Sequence, residues 1–213
     1  MEVPLGELGV ELVPRGAGVE LRGGDRDWVR AVLVAFGHRA EVRRDGLWVP
    51  AIDAAAAERA VRAALCPRAV LFDLDGVLAD IAGRRALADP ADVEAIAARY
   101  ATGVVTTCPR RLADSVLVRY GFAPHIDVVV GSDDGPCKPD PFPVRFAMQQ
   151  LGVSTAWMLG DNPSDVTAAR HGGAVPFAIR PRGIGGESHE QRLRGAGAVR
   201  LVDSVAELRR LLP

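Results

Sequence analysis

Lysine is almost missing from this chain: of 26 basic residues, 25 are arginine and one, Lys138, is lysine. A composition that writes nearly every cation as Arg singles out Lys138 as a position needing a compact ammonium rather than a planar fork. An excess of charge is missing too. The 26 basic residues face 27 acidic ones, for a net charge of -1, which removes the one-sign field that steers proteins to nucleic acid or a membrane surface. Three cysteines (Cys66, Cys108 and Cys137) are odd in number and lack metal-type spacing, which argues against a disulfide framework and for a reducing compartment. No apolar run approaches the roughly 20 residues of a membrane span. The first residues, with Glu2, Pro4 and Glu7, lack the basic and apolar regions of a signal peptide. The expectation is a cytoplasmic protein with no nucleic-acid or membrane partner.

What the chain has is apolar content, 48% of 213 residues, enough for a real core in one domain, or one plus a small appendage. Two segments separate near Cys66-Pro67. Residues 1–66 read as a small α+β module. Val19–Arg22 is strand-like, Asp27–Phe36 is helical, Ala40–Val49 is a hairpin turning at Asp45-Gly46, and Asp53 caps an Ala-rich helix ending near Leu65. Nothing in this module resembles a catalytic constellation.

Residues 67–213 change rhythm. Apolar β-rich runs at Ala69–Asp73, Gly103–Thr106, Asp127–Val130, Ala156–Gly160, Val175–Ile179 and Val199–Val202 alternate with helical patterns at Pro90–Tyr100, Pro109–Tyr120, Pro141–Leu151 and Pro163–His171. Pro enters these helices and Gly leaves several of them. A last helix starts at Ser204, with Glu207 three residues on. Arg180–Gly186 reads as a loop. The pattern predicts an α/β fold, a parallel sheet covered by helices on both faces, with a ligand site at the carboxyl ends of the strands.

The polar residues collect at those ends. Asp73 and Asp75 close the first strand, Thr106 and Thr107 the second; Lys138 follows the third, and Asp161 and Asp165 follow the fourth. Four acids, two hydroxyls and one ammonium on one rim suit a hard divalent cation and a phosphoryl group. His38, His125, His171 and His189 lack metal spacing and read as structural. Asp80, Asp133 and Asp134 read as loop or capping residues. Cys108 and Cys137 each adjoin a rim residue; they read as incidental thiols, with an inhibitory disulfide as the alternative.

Asp73-Leu74-Asp75-Gly76-Val77-Leu78-Ala79-Asp80 resembles the first signature of the haloacid dehalogenase superfamily. Thr106, Lys138 and Gly160-Asp161-x-x-x-Asp165 resemble its second, third and fourth, in order, over residues 67–213. The resemblance implies a Rossmann-like fold and a Mg²⁺-dependent phosphomonoester hydrolase of a small phosphorylated metabolite, acting through aspartyl-phosphate. By the same resemblance Asp73 is the nucleophile and Asp75 the general acid and base. Thr106, Thr107 and Lys138 bind the phosphoryl group. Asp73, Asp75 (through its main-chain carbonyl), Asp161 and Asp165 hold or orient Mg²⁺. The dehalogenase branch lacks an acid at the second position, so Asp75 favours phosphate esters.

Only 30 residues separate Asp75 from Thr106 and 31 separate Thr106 from Lys138, too few for the cap domain most such phosphatases carry. Residues 19–65 resemble, more faintly, the small C-terminal domain of histidinol-phosphate-type aminotransferases. The expectation for 1–66 is a lid or a homodimerisation element. Two alternatives stand beside the hydrolase: a low-activity binding or assembly module beside an aminotransferase-like partner, and phosphoryl transfer to an acceptor other than water.

Overall fold

In a computed structural model describing residues 4–180 and 186–213, the chain divides into two compact units, Met1–Cys66 and Pro67–Pro213. In the first, β1 (Val10–Arg15), β2 (Gly18–Gly23), α1 (Arg26–Ala35), β3 (Glu41–Arg43), β4 (Gly46–Pro50) and α2 (Ala54–Leu65) follow in order. The strands form an antiparallel sheet in the order β1-β2-β4-β3. Asp25 and Asp53 cap the two helices by accepting from the N–H groups of Trp28 and Ala56. Val29, Val32 and Leu33 of α1 and Ala57, Ala60, Val61 and Ala64 of α2 are buried.

Two features of this unit differ from the expectation. Strand β1 has no counterpart in the sequence reading, since Pro14 and an irregular pattern mask it. The β3–β4 hairpin turns at Arg44-Asp45 rather than Asp45-Gly46, because Gly46 already pairs with Arg43. The reason is a close approach of backbones. A Cβ on Gly46 would stand 2.1 Å from the carbonyl oxygen of Leu21 on β2. Gly46 lets the inner strand pack; it does not make the turn.

The second unit runs β5 (Ala69–Phe72), β6 (Ala79–Asp80), β7 (Arg85–Ala86), α3 (Pro90–Ala97), β8 (Ala101–Val105), α4 (Arg110–Arg119), β9 (Val128–Val130), α5 (Phe142–Gln150), β10 (Ala156–Gly160), α6 (Pro163–Gly172), β11 (Val175–Ile179), α7 (Gly186–Ala196), β12 (Arg200–Val202) and α8 (Val205–Leu211). Six strands form one parallel sheet in the order β12-β11-β10-β5-β8-β9. Every residue of β5 is fully buried, as a strand covered on both faces requires. Ala69 and Leu71 pack with Val144, Ala147 and Ala168 from α5 and α6. The order matters for function: the chain moves outward from β5 through β8 to β9, then returns to the other side of β5 as β10. Such a reversal opens a crevice between neighbouring strand ends, where ligands of open α/β sheets bind.

The six long strands lie where the sequence expectation puts them, within two residues. The β6–β7 hairpin and α7 do not appear in it. Two-residue strands carry no period, and α7 (GESHEQRLRGA) buries one side chain, Leu193, so its apolar stripe is too thin to read. Of the stretch read as the loop Arg180–Gly186, residues 181–185 lie outside the described residues.

Candidate active site

The site is built from the ends of β5, β8 and β10 and the loop before α5. Asp73 leaves β5, and its N–H donates to the carbonyl of Leu159 on β10, which fixes the two strand ends together. The Lys138 ammonium meets Asp73 Oδ1 at 2.7 Å, Asp165 Oδ1 at 2.6 Å and the Val105 carbonyl at 2.8 Å. An ammonium has three protons, and all three are directed at protein oxygens. Only 2% of the Lys138 side chain is exposed. A planar guanidinium cannot address three convergent acceptors in so small a space, which explains the lone lysine of an arginine-rich chain.

Asp165 sits in the first turn of α6 and is also saturated. Its Oδ1 takes Lys138, and its Oδ2 accepts from the N–H groups of Asp161 (3.1 Å) and Asn162 (2.9 Å). That makes Asp165 the residue that folds the β10–α6 loop and aims its neighbours. Asp161 projects from this loop over Gly76. Gly76 has φ +88°, and a Cβ there would stand 2.1 Å from Asp161 Oδ2.

Carboxylate oxygens of Asp73, Asp161 and Asp165 lie within 4.8 Å of one another. Three carboxylates against one ammonium leave an uncompensated charge of about -2, and the acid strengths register it. Burial first, then repulsion from Asp165, push Asp73 up to about 7; Lys138 offsets part of this. Burial and Asp165 likewise push Asp161 up to about 6. Burial alone would lower Lys138, but Asp73 and Asp165 outweigh it and the net direction is up. An oxygen-rich, partly dry cluster short of two positive charges fits a hard divalent cation.

Asp75 stands apart from that trio. It is exposed, and its Oδ1 accepts from the Ile81 N–H at 2.8 Å, in the turn between β6 and β7. Its side chain lies outside the trio yet close enough to Asp161 to add to the repulsion on that carboxyl. Thr106, buried at the end of β8, accepts from the Cys108 N–H at 3.1 Å and keeps its own proton for donation. Thr107 is exposed beside it. Asp80, Asp133 and Asp134 accept backbone N–H groups of Gly83, Arg110 and Gly131. Cys66, Cys108 and Cys137 are not joined in disulfides among the described residues.

One residue read as structural reaches this site. His189 on α7 contacts the main-chain oxygen of Asp161 at 2.7 Å. No spacing motif flags it, because its partner is a backbone atom 28 positions away. A cleft of about 290 Å³ opens beside Asp161, lined by Gly76, Arg85, Arg180 and His189 among others.

A parallel sheet reversing between β5 and β10, with an Asp–Lys–Asp cluster seated at the reversal, defines a Rossmann-like α/β domain with an acidic rim. Residues 93–179 match the family described as haloacid dehalogenase-like hydrolase. The chain is 37% identical over 116 residues to a phosphoglycolate phosphatase of Cupriavidus necator, covering 53% of this chain and 48% of that protein. It is 37% identical over 118 residues to a phosphoglycolate phosphatase of Rhodospirillum rubrum, covering 54% and 47%. The chain thus spans about half the length of these curated relatives. A HAD-superfamily hydrolase of subfamily IA from Geobacter sulfurreducens shares the fold, with TM-score 0.54 and 17% identity over 69% of this chain and 100% of that one. A haloacid dehalogenase-like hydrolase from Streptococcus pneumoniae does so with TM-score 0.55 and 16% identity, over 67% and 96%. No helix among the described residues is long and apolar enough to cross a membrane.

Proposed function

We propose that this protein hydrolyses a small phosphomonoester through an aspartyl-phosphate on Asp73, with Mg²⁺ as its metal. The observation that carries the reading is the Lys138 ammonium held between Asp73 and Asp165, with Asp161 beside them, at the ends of adjacent parallel strands. An acid at position 75 and relatives named as phosphatases support phosphate esters over haloacids.

In the first half-reaction a carboxylate oxygen of Asp73 forms a bond to phosphorus as the ester P–O bond breaks, and Asp75 gives its proton to the departing oxygen. In the second, Asp75 takes a proton from water. That water oxygen bonds to phosphorus as the Asp73–phosphorus link breaks, so inorganic phosphate leaves and both carboxyl groups are restored. Asp75 is exposed and tethered to the Ile81 N–H, a position from which it can face both leaving group and water. Thr106 donates its hydroxyl to a phosphoryl oxygen. Lys138 has no spare N–H and contributes charge, holding Asp73 in place while lowering the repulsion between carboxylate and phosphate. Asp73, Asp161 and the main-chain carbonyl of Asp75 would hold Mg²⁺, with Asp165 orienting them, and the bound ion would supply the remaining charge neutralisation.

Release of inorganic phosphate from a panel of phosphorylated metabolites, with Mg²⁺ and with EDTA, tests this for the wild type and Asp73→Asn. Turnover that needs Mg²⁺ and vanishes in Asp73→Asn is expected. Folded, Mg²⁺-treated protein that turns over nothing on the panel would favour a binding module instead.

A further inference from the structure

The α7 helix carries His189 and Arg192 three residues apart, hence on one face. Arg192 Nη2 lies 2.9 Å from His189 Nδ1, and His189 Nε2 lies 2.7 Å from the carbonyl oxygen of Asp161. A guanidinium only donates and a carbonyl only accepts. Nδ1 must therefore present a lone pair and Nε2 a proton, so these two partners leave room for one neutral tautomer and no other. The ring is oriented at both ends before any ligand arrives.

What it holds is the backbone of the one acid in the rim whose carboxylate is not tied down among the described residues. Asp73 Oδ1 is held by Lys138, and both oxygens of Asp165 are engaged. Asp161 is instead fixed through its main chain: its N–H donates to Asp165 at 3.1 Å, and its C=O accepts from His189. Its carboxylate is left lying over Gly76. We propose that His189, with its tautomer set by Arg192, is a positioning residue that holds the Asp161 peptide so that its carboxylate is aimed into the acidic cluster, coupling α7 to divalent-cation affinity.

This inference rests on the metal-dependent reading above. Partners that orient a metal ligand without touching the metal change affinity by about 10–100-fold when removed. Titration calorimetry of the purified full chain with MgCl₂ measures this directly for the wild type, His189→Ala and His189→Gln, with apo thermal melts as the control for folding. Gln places an N–H donor at about the reach of the imidazole Nε2 and restores the bond to Asp161. The expected result is weakening by tenfold or more in His189→Ala, recovery to within a few-fold of wild type in His189→Gln, and apo melts that differ little. Equal Mg²⁺ affinity in wild type and His189→Ala would overturn the inference alone, as would a His189→Gln variant no better than His189→Ala. A wild type that binds no Mg²⁺ would overturn the metal-dependent reading and this inference with it.

Discussion

A Cβ on Gly76 would stand 2.1 Å from Oδ2 of Asp161, a separation no carbon–oxygen pair tolerates. The glycine follows β5 and the aspartate follows β10, so the absence of a side chain on one strand end makes room for the carboxylate of its neighbour. Gly76 also carries φ +88°, a conformation L residues adopt at a cost.

Gly76→Ala should therefore displace Asp161 as well as strain the turn. The strain alone costs about 1–2 kcal/mol in stability. Phosphatase activity should fall at least tenfold, a loss beyond what the strain would cause in a protein that stays folded. Urea denaturation beside a phosphate-release assay separates the two. Activity within twofold of wild type would show that the Asp161 position is not needed.

Lys138 bridges two buried carboxylates, so truncating it strands both. Lys138→Ala should cost about 3–5 kcal/mol at pH 7 without metal, and clearly less at pH 5, where the carboxyl groups take up protons. Lys138→Arg should also lose about 10²-fold or more in turnover, since a guanidinium does not satisfy three acceptors converging on one point. Denaturation curves at the two pH values and a steady-state assay check both statements.

The raised acids predict how stability of the metal-free protein varies with pH. Asp73 is pushed up to about 7 and Asp161 to about 6, from a reference of 3.8. The native state therefore binds protons more tightly than the unfolded chain does. Stability from these groups is present in full below pH 3.8 and is lost as pH rises through 6 and 7. In EDTA, Tm should fall between about pH 5 and 7.5, a window in which ordinary carboxylates are already ionised. Mg²⁺ should flatten or reverse that slope, and Asp165→Asn should make it shallower by removing one repelling charge. A flat Tm profile in EDTA would refute the account.

Within residues 1–66, Trp28 Nε1 donates to the Ala64 carbonyl at 2.9 Å. Ala64 lies in the last turn of α2, where carbonyls have no partner within the helix. Trp28→Phe keeps an aromatic ring but leaves that carbonyl bare, and should cost about 1–3 kcal/mol in a urea melt.

By itself the sequence determined the alternation of strands and helices in residues 67–213 and the place of each candidate residue within it. It did so because buried parallel strands are continuous apolar runs, and Pro and Gly punctuate the helices between them. It also singled out Lys138, through composition alone. Tertiary structure decided what those residues do to one another. That all three Lys138 protons are spoken for, that Asp165 is saturated and serves to aim its neighbours, and that Asp75 is tethered to Ile81 follow from distances between atoms far apart in the chain. His189 and Gly46 make the same point from the other side. The imidazole grips a backbone oxygen 28 residues away, and the glycine's missing side chain admits a strand two positions earlier in the fold. A sequence pattern reports what a residue needs from its own segment. Which distant backbone comes to meet it is fixed only when the sheet closes and the helices pack.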